Sequence, residues 1–266
     1  MSNKYLDFIS DEHFLECIEY VFEVYEKQKK EVSERKFYRN KVDPLRFTFD
    51  INFLRKDFDI KEYLSVTEIP RQINKTIGNA IGTFHEMMFD GIDGYQKGNF
   101  DGYDIKANDN TLFADIKNKH NTVNSSSEEK LYQKLISIAD SYPDSKVYYV
   151  QIIAKYSIHK NWIAKYDVTK TDTETRVYNH ERVYIISADR FYQLLTDNDY
   201  AFRDVMEALP IAINDLLEKR KLTDVKENKN LLESLENKAK KNNFTLLDQI
   251  IYDNFNTYLG FDEWKK

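Results

Sequence analysis

Residues 100–119, FDGYDIKANDNTLFADIKNK, constrain this chain more than any other stretch. Two short runs rich in β-branched and aromatic residues are joined by Asn108, Asp109 and Asn110, and turn residues between such runs predict a β-hairpin. Side chains alternate along a strand, so Phe113, Asp115 and Lys117 share one face and Leu112, Ala114 and Ile116 the other. In the first run Asp104 and Lys106 have one parity, Tyr103 and Ile105 the opposite one. Pairing the apolar faces throws Asp104, Asp115 and Lys117 together on the second side. Asp101 has the wrong parity and ranks behind Asp104 as a site acid.

The surroundings of the hairpin predict its setting. PRQINKTIGNAIGTFHEMMF reads as a helix with Pro70 in its first turn and an apolar stripe of Ile73, Ile77, Ile81 or Phe84, and Met88. Gly78, Gly82 and Glu86 lie four apart on one face. Each glycine lowers helix stability by about 1 kcal/mol, so the expectation is that something approaches this face closely, with the Glu86 carboxylate delivered to a site. GIDGYQKGN is turn material. After the hairpin, SSSEEKLYQKLISIADSYP is a helix with capping serines, acids in its first turn and a stop at Pro143. KVYYVQIIAK then reads as a buried strand, and RVYIISADRFYQLL as a strand feeding a helix at Ala188. Residues 11–30 and 200–220 read as helices, and 222–243 as a polar tail, amphipathic at best. Helix, strand, strand, helix, strand, without repeats or a Gly/Ser linker, predicts an α/β fold in a single domain over 1–266. Its core spans about 70–160, with helical flanks at 1–69 and 188–266.

A hydrophobic content of 41% is that of a globular protein. The one cysteine, Cys17, allows no internal disulfide and falls in a helical apolar pattern, which fits a reducing compartment. The amino-terminal residues carry charges throughout, so neither a secretory signal nor a membrane span is expected, and the expected location is cytoplasmic. The five histidines have no zinc-ligand spacing, and HEMMF lacks the second histidine of a zinc-protease helix. No phosphate-binding glycine loop and no Gly-x-Ser-x-Gly elbow occurs. A net charge of −6 argues mildly against nucleic acid. Basic residues are nevertheless clustered, at 27–41, at Lys117, Lys119 and His120, and at Lys219, Arg220 and Lys221.

Two carboxylates at short range cannot both stay ionised without a counter-charge. A divalent cation supplies one, and hard oxygen ligands suit Mg2+, which takes one or two carboxylates together with phosphate oxygens. Lys117 then offsets charge on a scissile phosphate, and Glu86 serves as a third acid, directly or through water. The constellation predicts phosphodiester hydrolysis; its structural rival is a salt-bridge cluster.

FDGYDIK…FADIKNKHNTVNSSS, with IGTFHE before it, resembles type II restriction endonucleases of the PD-(D/E)XK superfamily, in particular the group that cuts GGNCC and GGWCC sites. The likeness is closest over residues 78–155. It implies a nuclease core with a central mixed β-sheet flanked by helices, and Mg2+-dependent cutting of both strands of double-stranded DNA at a short, nearly palindromic site. Asp104 matches the first acid of the motif, Asp115 the second, Lys117 the lysine and Glu86 the helix acid. No proline precedes Asp104, and the second acid is Asp where many relatives have Glu. A two-fold target implies a homodimer, and a cytosine methyltransferase is expected as a genetic, not a physical, partner. Asn118, Lys119, His120, Asn121, Asn124, Ser125, Ser126 and Ser127 offer groups for phosphates and base edges, where simple capping and an Asn turn compete. The rival functions are a repair or recombination nuclease on the same core and a non-catalytic DNA-binding protein.

Overall fold

A computed structural model describes residues 3–29, 33–39, 42–54, 59–98, 102–119, 125–167, 175–220 and 229–255. In chain order the elements are α1 (Asp11–Lys29), α2 (Glu34–Arg39), α3 (Pro44–Phe49), α4 (Ile60–Tyr63), α5 (Ile69–Asp90), β1 (Tyr95–Lys97), β2 (Ile105–Ala107) and β3 (Leu112–Lys119). They continue with α6 (Ser125–Ser141), β4 (Lys146–Ile153), β5 (His159–Asp167), β6 (Thr175–Ser187), α7 (Ala188–Thr196), α8 (Ala201–Lys219), α9 (Lys229–Lys241) and α10 (Leu246–Phe255). The chain forms two compact units, one of residues 1–21 and 80–221 and one of residues 22–79 and 222–266.

The first unit is built on a six-stranded sheet in the order β1-β2-β3-β4-β6-β5. β1, β2 and β3 are antiparallel, β3, β4 and β6 are parallel, and β5 closes the far edge antiparallel to β6. The sheet is therefore mixed, as expected. A parallel β3–β4 pair needs a crossover, and α6 supplies it. Leu131, Tyr132, Leu135 and Ile138 of α6 pack on Phe113, Val147, Tyr149 and Val183 of the sheet. On the opposite face Tyr148 meets Phe191 of α7, ring centroids 6.1 Å apart, and Phe191 meets Phe89 of α5 at 5.0 Å. Both faces of the central strands are thus covered by apolar layers, which is why VYYVQII is continuously hydrophobic rather than alternating.

This burial corrects one premise of the hairpin reading. The face that carries Asp115 is not a polar second side, because Phe113 on it is fully buried under α6. Tyr103, expected on the side away from Asp104, has its ring 5.0 Å from that of Phe113 on the α6 face. The regular pleat begins only at Ile105, and Gly102 before it sits at φ +88°, so strict alternation does not reach back to Tyr103. Two strands escaped the sequence reading. β1 is three residues of a stretch read as turn, and β5 is an edge strand whose Trp162 and Ala164 are buried while Ile163 between them is exposed.

The second unit packs Phe37, Phe47, Tyr63, Leu64 and Ile69 against Leu231, Leu232, Leu235 and Ile250. Asp43 and Asp59 cap α3 and α4, and Pro44 opens α3, where its missing N–H is no loss. α9 is more than a polar tail, because its leucines are core residues of this unit. No helix among the described residues is long and apolar enough to cross a membrane.

Candidate active site

Asp104 lies where the turn before β2 meets β3. Its N–H donates to the Ala114 carbonyl at 2.8 Å, its own carbonyl accepts from Gly98 N–H at 2.8 Å, and Oδ2 accepts from Ile116 N–H at 2.6 Å. The paired register begins with Ile105 opposite Ala114, so Asp104 lies one residue before it and is tied to β3 through Ala114 and Ile116. Burial raises the Asp104 carboxyl above the ordinary carboxylate range, and the Asp115 charge adds to the rise. The Ile116 N–H and Lys117 pull the other way, and Glu86 pushes it up again. Asp115, Lys117 and Glu86 thus lie near enough to Asp104 to act on its charge.

Asp115 is 2% exposed and is held by two ammonium groups. Lys117 Nζ donates to Oδ1, and Lys134 Nζ donates to Oδ2. Lys117 also reaches the Ile116 carbonyl at 3.3 Å. Lys134 was not among the residues singled out from the sequence. Its signal was there, since on α6 it falls three residues after Leu131 and four before Ile138, inside the apolar stripe, where a lysine needs a reason.

Glu86 reaches the site from the last turns of α5 and is paired with Lys97 of β1 at 2.9 Å. No group of three acid, histidine or cysteine side chains close enough to share one ion forms among the described residues. Gly78 and Gly82, expected to be closely approached, have open space where a Cβ would stand. The close approach occurs instead at Gly98, where a Cβ would lie 2.1 Å from the Tyr103 carbonyl oxygen.

The stretch expected to meet DNA is described in part. Asn118 alternates to the face away from Lys117, and its buried Oδ1 has no hydrogen-bond partner among the described residues. Lys119 ends β3 in an exposed position, and Ser127 is exposed on the first turn of α6. Asp101, His120, Asn121 and Asn124 lie outside the described residues, as do the side chains of Ser125 and Ser126.

The donors present suit a hard cation. The buried Asp115 carboxylate acts on the charge of Asp104, and the positive charge of Lys117 already sits between Asp115 Oδ1 and the Ile116 carbonyl oxygen. A mixed sheet with helices on both faces and this acid pair and lysine on its central hairpin has the architecture of a restriction endonuclease core.

Comparison with known proteins narrows the class. A family described as Eco47II restriction endonuclease matches residues 6–218. The type II restriction enzyme Sau96I of Staphylococcus aureus is 37% identical over 266 residues, spanning 98% of this chain and 100% of that enzyme. The type II restriction enzyme Eco47II of Escherichia coli is 29% identical over 220 residues, 81% of this chain and 89% of that enzyme. The chain belongs to the Eco47II restriction endonuclease family and is a type II site-specific endonuclease.

Proposed function

We propose that the chain hydrolyses both strands of double-stranded DNA at a short, nearly palindromic site of the GGNCC type, with Mg2+, at the centre formed by Asp104, Asp115 and Lys117. The observation that carries this reading is the ion pair of Asp115 with Lys117 on β3, with the Asp104 carboxylate bonded to the Ile116 N–H between them, in a chain of this family. Asp104 and Asp115 would hold the cation, with the Ile116 carbonyl as a further oxygen nearby. The cation, when bound, polarises the phosphodiester and lowers the pKa of the attacking water. Lys117 stays beside Asp115 and offsets the charge that builds on the phosphate. Glu86, tied to Lys97, acts at one remove through water. Lys119, Ser127 and, between them in sequence, His120, Asn121, Asn124, Ser125 and Ser126 meet the DNA with Asn118, and the N–H groups opening α6 favour a phosphate there. A homodimer presents two such centres to the two strands. The enzyme works in the cytoplasm beside a cytosine methyltransferase encoded with it.

Digestion of plasmid DNA with Mg2+ tests the reading. Discrete, reproducible bands blocked by cytosine methylation of the site are expected; a smear, or nicking that follows DNA structure instead of sequence, contradicts it. Asp115→Asn is expected to lower the cleavage rate by about a thousandfold or more while duplex binding remains measurable. Cleavage near the wild-type rate in that variant removes Asp115 from the centre.

A further inference from the structure

Two lysines saturate Asp115, one on each carboxylate oxygen. Lys117 has a role in the reading above. Lys134 has none, although it comes from a different element and reaches a carboxylate that is almost fully buried. We propose that Lys134 is a positioning residue that holds Asp115 Oδ2 in the cation-free enzyme and competes with the divalent cation for that oxygen. The proposal rests on the reading of Asp104 and Asp115 as the cation site.

Charge makes the competition necessary. The carboxylates of Asp104 and Asp115 carry two negative charges when ionised, and Lys117 and Lys134 carry two positive ones, so the cluster is neutral as it stands. A divalent cation brought in without DNA leaves an excess of two positive charges in a half-buried place, where like charges are poorly screened. The excess is removed when Lys134 leaves Oδ2 and when DNA phosphates arrive. Lys134 has the freedom to leave, because its side chain is 38% exposed while that of Asp115 is 3% exposed. Its stem runs beneath Gly102 at φ +88°, where a Cβ would stand 3.7 Å from Lys134 Cδ, in the same turn that leads into Asp104. The ammonium thus reaches Asp115 from the α6 side, past the turn that leads into Asp104. The consequence is that cation loading is weak in the free enzyme and strengthens with substrate, which restrains cleavage chemistry away from DNA.

Mn2+ binding to the full chain without DNA, read by electron paramagnetic resonance, tests this directly. Lys134→Gln is expected to bind Mn2+ about tenfold more tightly than wild type, roughly the worth of one charge-assisted hydrogen bond at a partly exposed site. Lys134→Met, which keeps the apolar stem beneath Gly102, carries the same expectation should the glutamine variant fold poorly. Lys134→Arg restores the charge and should return the affinity to near wild type. Unchanged or weaker Mn2+ binding in the neutral variants overturns the proposal, since a merely structural ion pair would loosen the site on removal. Arginine binding as tightly as the neutral variants overturns it as well. Asp115→Asn separates this failure from that of the underlying reading: if it binds Mn2+ as the wild type does, the acid pair is not the cation site at all.

Discussion

Asp104 is placed at an energetic cost. Its carboxyl is raised by burial first and by Asp115 second, so between its ordinary and its raised pKa the folded chain holds a proton that the unfolded chain releases. Stability therefore falls as pH rises through that window, and at neutral pH the ionised group works against the fold. Asp104→Asn keeps an oxygen for the Ile116 N–H and removes the repulsion, so it should raise stability by roughly 1 kcal/mol in urea unfolding while abolishing cleavage. A loss of stability would mean that Asp104 is held by attraction rather than strained by its neighbours. His85 shows the opposite sign. Burial depresses its pKa to about 4. As pH drops from 6.5 towards that value the unfolded chain takes up a proton that the folded chain refuses. Stability present above pH 6.5 is then lost by roughly 3 kcal/mol, and His85→Gln should flatten that slope in urea titrations at pH 7 and pH 4.5. That Asp115 and Lys117 share a side was legible in the sequence, because a two-residue period along a strand fixes side without knowledge of what covers it. Lys134 was not singled out, because which helix lies over Asp115 depends on the crossover, a long-range fact.

At the scale of elements, α1, α5, α6, α7, α8 and the central strands could be read, and their reasons are local: serines and an acid in the first turn of α6, Pro143 after it, and an unbroken apolar run in β4. The short edges could not. β1 pairs only with β2, and three residues of mixed polarity gain strand geometry from that partner rather than from their own pattern. The glycines of α5 were read for what might touch them, but their surroundings are open. Gly78→Ala and Gly82→Ala should each raise stability by about 0.5–1 kcal/mol, the usual gain of alanine over glycine in a helix interior, measured by chemical denaturation. Destabilisation by either would show a neighbour on that face. Gly98→Ala should do the reverse, since its Cβ would collide with the Tyr103 carbonyl next to Asp104, and activity should fall together with stability.

At the scale of the whole molecule, the chain is acidic overall, at −6, yet belongs to a family of DNA-cutting enzymes. Net charge says little about a surface patch. Duplex binding should still weaken steeply with salt, with a log–log slope of about −4 or steeper if four or more phosphates are neutralised, measured by fluorescence anisotropy between 50 and 200 mM salt. A flat response would remove phosphate contact as the source of affinity. The sequence spoke for one nuclease core around 70–160, and that stretch does hold β1 to β4 and the acid pair. It did not show that residues on either side of the core, such as Phe37 and Leu235, are drawn from opposite ends of the chain into a second hydrophobic centre. No local pattern encodes a contact separated by so many residues.

The proposed function requires one cation between Asp104 and Asp115, beside the bond that is cut. Anomalous diffraction from crystals of the enzyme with a cognate duplex and Mn2+ measures this most directly. A manganese peak within about 2–2.5 Å of carboxylate oxygens of both residues, against the scissile phosphate, is expected. A fully loaded, substrate-bound enzyme with its manganese elsewhere, and these two carboxylates still held by lysines alone, would contradict it.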